Sequence, residues 1–191
     1  QEGAMAIADA LKINASLTSL DLERNSIQLE GAVAIADTLK VNSSLTSLNL
    51  SHNSIQQGVN AIAVALKDSC SLTALNLSSN MINSDGAMAI AGALQENTTL
   101  ASLDLKSNCI QLLGLNCIAK AVTYNPTLLH LEVNANCDHL FSGFQEFKNT
   151  FLNLQGLLAI LIEENGAQIL GTKYQIKTRC VTLVKRPFSM L

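Results

Sequence analysis

The sequence predicts an α/β solenoid, in which stacked parallel strands form one layer and helices cover them. Two repeated blocks predict it. The first, L-x-x-L-x-L-x-x-N-x-I, stands at Leu17/Leu20/Leu22/Asn25/Ile27, Leu45/Leu48/Leu50/Asn53/Ile55, Leu72/Leu75/Leu77/Asn80/Ile82 and Leu100/Leu103/Leu105/Asn108/Ile110, then as Leu128/Leu131/Val133/Asn136. Its first leucines step by 28, 27, 28 and 28 residues, a period at which each unit buries its apolar face only by stacking on its neighbours. The second block lies between the first ones, as in Gly31-Ala-Val-Ala-Ile35-Ala-Asp-Thr-Leu39 and Gly86-Ala-Met-Ala-Ile90-Ala-Gly-Ala-Leu94.

In the strand block, alternation sends Leu48 and Leu50 inward and Ser47, Asn49 and Ser51 outward. The asparagines Asn25, Asn53, Asn80, Asn108 and Asn136 end the strands where the chain turns inward, so their amides are expected to form a ladder on unpaired backbone groups. In the helix block, Ala32, Ile35, Ala36 and Leu39 have the spacing of one amphipathic face. Asn14, Asn42, Asn97 and Asn125 follow the helices and are expected to take left-handed backbone at the C-terminal turn. The unit that is one residue short loses it between Ile55 and Gly58, in the loop before its helix.

Five such repeats, the first partial, cover residues 1–136. Over 137–167 the phase continues loosely, with Gly143, Phe147 and Phe151 in helix positions and Leu157/Ile160/Ile162/Asn165 in strand positions; this is expected to be a degenerate sixth repeat or C-terminal cap. A heptad reading of Leu140, Phe144, Phe147, Phe151, Leu154, Leu158 and Leu161 as a coiled coil competes with it. Residues 168–191 form a basic tail with Lys173, Lys177, Arg179, Lys185 and Arg186 and strand-like alternation over Tyr174–Cys180, read as a solvated or disordered end, with contact to membrane or nucleic acid as the other reading.

Composition narrows the function. A net charge of −3 leaves no basic face for nucleic acid, and no apolar run is long enough to span a membrane. The five cysteines form an odd set without a C-x-x-C pair, which points to reduced thiols and a cytoplasmic address. Sequons at Asn14, Asn42, Asn49, Asn76 and Asn97 would matter only in a secreted chain. The chain opens at Gln1 directly on a helix-like segment, so an upstream portion is expected.

No phosphate loop, catalytic triad or metal-ligand spacing occurs; Cys137-Asp138-His139 are too close in sequence to converge as ligands. Neither catalysis, nor a cofactor, nor a metal is expected. What remains is the outward row on the strands, from which Asp21, Glu23, Arg24, Asn49, His52, Asn76, Asp104, Lys106, His130 and Glu132 are the candidate protein-binding residues. Its aromatic and arginine content is low, with Arg24 as the sole anchor of that kind.

The 28-residue unit resembles the ribonuclease-inhibitor-like class of leucine-rich repeats, closely over 3–136 and loosely over 137–167. Phrases such as Ala36-Asp-Thr-Leu39-Lys-Val-Asn42-Ser-Ser-Leu45 are most similar to the C-terminal repeats of caspase-recruitment-type NOD-like receptors. The resemblance implies a horseshoe segment with strands on the concave side and helices on the convex side. It also implies a non-enzymatic protein-interaction module in a cytosolic sensor or scaffold, of the kind used in innate immunity. A Ran-type GTPase activator and a ribonuclease inhibitor share the repeat class and stand as alternatives, although this chain has none of the tryptophans of the latter. The oligomeric state is left open.

Overall fold

The computed structural model describes residues 1–68 and 71–133, and the backbone of 182–184. Helix and strand alternate along it: α1 (Glu2–Ile13), β1 (Ser19–Asp21), α2 (Gln28–Leu39), β2 (Ser47–Asn49), a 3-10 turn (Gln56–Gly58), α3 (Val59–Asp68), β3 (Ala74–Asn76), α4 (Ser84–Glu96), β4 (Ser102–Asp104), α5 (Leu112–Tyr124), β5 (His130–Glu132) and β6 (Thr182–Val184). The strands form one sheet in sequence order. β1 to β5 are parallel and in strict repeat register, so Leu20, Leu48, Leu75, Leu103 and Leu131 stand side by side.

The core lies between sheet and helices. Leu48, Leu50 and Ile55 from the strand block meet Ile35, Ala36 and Leu39 or Ile62 and Leu66 from the helices, all at most 2% exposed. The helix face expected at Ala32, Ile35, Ala36 and Leu39 is buried in full. Small residues set the helix spacing: a Cβ on Gly114 would come within 2.9 Å of the Ala87 Cβ, and one on Gly58 within 2.7 Å of the Ala32 Cβ. These glycines sit in the first turn of their helices or just before it, where the neighbouring helix comes too close for a side chain.

The missing residue of the third unit is absorbed by the 3-10 turn, which advances further per residue than an α-helix and leaves α3 with 10 residues where α2 has 12. The site of the deletion is not a loop free of packing, because Gly58 within it is buried.

The asparagine ladder runs between repeats. Asn80 Oδ1 accepts from the Asn53 and Ile55 N–H groups at 2.9 and 3.3 Å, while its Nδ2 donates to the carbonyls of Leu50, Leu77 and Ser78 at 2.8, 3.1 and 3.1 Å. Asn53 does the same for Asn25 and Ile27, and Asn108 for Asn80 and Ile82. Asn53 and Asn80 are fully buried, whereas Asn25 at the first repeat is exposed and its Nδ2 turns back to the Glu23 carbonyl. The backbone around these amides alternates in hand: Arg24, Ser26, Gln28, His52, Ser54, Gln56, Ser79, Met81 and Ser107 all have φ between 48° and 60°. Such alternation points successive N–H groups at one acceptor, here the ladder carbonyl.

The second set of asparagines corrects the sequence expectation. Asn14, Asn97 and Asn125 have φ of −81°, −70° and −74°, in extended rather than left-handed backbone. Their side chains form a second ladder: Asn42 Nδ2 donates to the Leu11 and Asn14 carbonyls at 2.8 and 2.9 Å, and its Oδ1 accepts from the Ser44 and Leu45 N–H groups at 3.1 and 2.8 Å. Asn97 and Asn125 repeat this pattern two and three units on. Two of the five sequons, at Asn42 and Asn97, are therefore buried and engaged.

Residues 137–167, expected as a sixth repeat, lie outside the described residues, as does Tyr174–Cys180. The place beside β5 is taken by β6 from the tail, antiparallel, with Thr182 opposite Glu132 and Val184 opposite His130.

Candidate protein-binding surface

The sheet brings side chains from five strands into two ranks on its outer face. One rank is Ser19, Ser47, Ala74, Ser102 and His130; the other is Asp21, Asn49, Asn76, Asp104 and Glu132. Side chains in register on a parallel sheet are spaced by the strand separation of about 4.8 Å, close enough for neighbours to touch.

Most of the second rank also serves the fold. The Oδ1 atoms of Asp21, Asn49, Asn76 and Asp104 accept from the N–H two residues on, at Glu23, Ser51, Ser78 and Lys106, over 2.9–3.0 Å. These Asx turns end each strand and orient the side chain. Ser51, expected to point outward, is buried at 3% exposure, and Ser78 is buried likewise.

Charge is concentrated at β4 and β5. Lys106 Nζ lies 2.9 Å from Asp104 Oδ2 and 3.1 Å from Glu132 Oε2, and His130 Nε2 lies 3.2 Å from Glu132 Oε1. The Asp104 hydrogen bond is the main cause that raises the Lys106 pKa, against a smaller opposing effect of burial. Burial on its own would raise Glu132, but the hydrogen bonds and charges of Lys106 and His130 together outweigh it and hold the carboxyl below its ordinary range. At the other end, Arg24 Nε approaches Glu23 Oε1 at 3.4 Å in an exposed pair.

The ten candidate residues thus fall into three groups. Asp104, Lys106, His130 and Glu132 are brought together; Asp21, Glu23 and Arg24 form a second cluster three strands away; Asn49 and Asn76 lie between them. His52 is exposed on the turn after β2, at φ 57°, outside the two ranks. The link between Lys106 and Glu132 was not foreseen, although the 26-residue separation, one period less two, puts one residue past its strand beside the end of the next. Among the described residues no group of His, Cys, Asp and Glu could hold a metal ion, and no helix is long and apolar enough to cross a membrane.

Comparison with known proteins agrees with this geometry. A family model described as leucine-rich repeat matches residues 14–36, 41–57, 68–91 and 96–119. No curated protein matches the chain significantly. Among solved structures, the actin-binding site 2 of leiomodin-1 is similar with a TM-score of 0.63 and 23% identity, over 80% of this chain and 90% of that one. The C-terminal domain of tropomodulin from Caenorhabditis elegans is similar with a TM-score of 0.62 and 12% identity, over 78% and 91%. At these identities the likeness is one of fold. Each matched segment contains a strand block, and three of the four run on into the helix that follows, so these segments are leucine-rich repeats and the described residues fold as a leucine-rich-repeat α/β solenoid.

Proposed function

We propose that the chain is a non-enzymatic protein-binding module that holds its partner on the strand face, as the repeat region of a cytoplasmic sensor or scaffold. The observation that supports this most is the set of polar side chains from β1 to β5 in unbroken register, ending in the Asp104–Lys106–Glu132–His130 cluster. A partner meets these groups already oriented by Asx turns and ion pairs, so little side-chain freedom is lost on binding. The NOD-like receptor likeness of the repeat phrases supports a sensor. The fold shared with the actin-binding site of leiomodin-1 supports a cytoskeletal partner and makes actin the first candidate to test.

The experiment is binding of the chain and its Asp104→Lys/Glu132→Lys variant to candidate partners, with actin co-sedimentation as one arm. The variant is expected to melt lower, having lost the Asp104 and Glu132 contacts, and to lose at least about tenfold in affinity when compared at a temperature where both proteins are folded; binding by the parent is expected to weaken as salt rises. Equal binding by both, with loss only on changing exposed helix residues such as Asp9 and Asp37, would move the interface to the helix side. Stimulated GTP hydrolysis or inhibition of a pancreatic-type ribonuclease would replace the reading by one of its two alternatives.

A further inference from the structure

The Asx turns of the second rank do more than end the strands. The Oδ1 atoms of Asp21, Asn49, Asn76 and Asp104 each accept from the N–H two residues on, over 2.9–3.0 Å. An N–H needs an oxygen opposite it, so the turn also fixes which atom of each side chain is left facing outward. Asp21 and Asp104 present a second carboxylate oxygen, whereas Asn49 and Asn76 present an NH2 group. Residue identity alone therefore writes acceptor, donor, donor, acceptor across β1 to β4, in strict register.

The two donors are unused by the fold. Among the described residues Asn49 Nδ2 and Asn76 Nδ2 have no hydrogen-bond partner, whereas the amides of Asn53 and Asn80 each donate to three carbonyls. Both free amides are half-buried, and the first rank beside them is Ser47, Ala74 and Ser102, small enough for a main chain to come down onto them. Charge lies at the two ends of the row. At β1 Asp21 and Glu23 stand against Arg24, and at β4 and β5 Asp104 and Glu132 stand against Lys106. Each end thus sets two carboxylates against one cation, with His130 counted neutral at pH 7, and keeps one net negative charge.

We propose that this row takes an extended polypeptide segment laid across the strands, with main-chain carbonyls on Asn49 and Asn76 and a cationic side chain over each acidic end. The proposal rests on the strand-face reading and names the class of partner. A helix does not fit the donors, because its carbonyls are taken by its own N–H groups except in the last turn. An anionic segment does not fit the ends, each of which repels it. From β1 to β4 the span is three strand separations, about 14 Å, which about four residue steps of extended chain cover, and side chains four apart point to the same face. The segment sought is therefore a basic residue, three small residues and a second basic residue.

The probe is a five-residue peptide with arginine at both ends and serine between, acetylated and amidated, titrated into the isotope-labelled full chain. The side-chain amide signals of Asn49 and Asn76 are expected to shift in its NMR spectrum, and an all-serine peptide of the same length is expected to leave them in place. Asn49→Asp/Asn76→Asp keeps both turns, as Asp21 and Asp104 show, but replaces the donors by acceptors and adds negative charge. It is expected to weaken the complex about tenfold, the scale of two lost hydrogen bonds, and Asn76→Asp alone is expected to act in the same direction. Attraction by charge alone would instead tighten binding in these variants, and that result overturns the proposal. Asp21→Asn, which keeps its turn and removes a charge, is expected to weaken the complex about threefold. If neither amide shifts, this proposal falls while the strand-face reading is still decided by the Asp104→Lys/Glu132→Lys arm; shifts confined to exposed helix residues overturn both.

Discussion

Asn80 shows at the residue scale how the turns are held. Its amide satisfies five backbone groups, two N–H and three C=O, drawn from its own unit and the one before. Asn80→Ala leaves two buried N–H donors unpaired and is expected to cost about 3 kcal/mol in a denaturant titration. Ser79→Ala, at a half-buried neighbour, is expected to change stability by less than about 0.5 kcal/mol. Glu132 gives a second residue-scale expectation. Its carboxyl pKa is held below the ordinary 4.5, so its contribution to stability is present above that value and is lost as pH falls through the lowered one. Glu132→Gln is therefore expected to reduce stability at pH 7, and unfolding curves of parent and variant are expected to converge in the acid range below the ordinary glutamate value. A constant gap between the two at all pH would remove the ion-pair assignment.

At the scale of elements, the sheet-to-helix distance and the spacing between helices depend on where side chains are missing. Gly114→Ala places a methyl 2.9 Å from the Ala87 Cβ and 3.1 Å from the Ser84 backbone, neither of which can swing aside, and is expected to destabilise by about 1 to 3 kcal/mol. Gly92→Ala in α4 meets nothing within 4 Å and is expected to stabilise by about 0.5 to 1 kcal/mol through helix propensity. Thermal unfolding of the two variants reads both signs. The same element scale shows what the sequence could reveal. The apolar positions of strand and helix follow from a period that repeats five times, and the first ladder followed from Asn53, Asn80 and Asn108 sitting where the chain turns inward. The role of Asn42, Asn97 and Asn125 was missed because an asparagine after a helix suits a left-handed cap, and only the stacked neighbour shows that a carbonyl one unit back is its partner. The Asx turns of Asn49 and Asn76 were missed because a polar residue on the outer face of a strand reads as solvent-exposed whether or not its side chain bonds the backbone.

For the molecule as a whole, the sheet ends differently from the way it is built. Repeat phase carries β1 to β5, but β6 runs against them and comes from a stretch that does not show the repeat, so neither its direction nor its position was legible from the pattern. Its pairing covers the edge that β5 would otherwise expose to other chains. Leu183→Pro removes a backbone N–H from the centre of β6, opposite Leu131, and is expected to raise concentration-dependent self-association while α1 to β4 keep their helix signal. Light scattering over a concentration series checks this, and an unchanged monomer would show that β6 does not guard the edge.

The between-unit ladder also gives the array a polarity. The turn of each repeat is fastened from its C-terminal side: the Asn25 and Ile27 N–H groups depend on Asn53, and those of Asn53 and Ile55 on Asn80. Losing a unit from the front deprives its follower of one carbonyl acceptor for the amide, whereas losing a unit from the rear leaves two N–H groups of the turn ahead without their acceptor. Unravelling is thus costlier from the rear than from the front, because more buried groups are left unpaired there, and each unit latches the one before it.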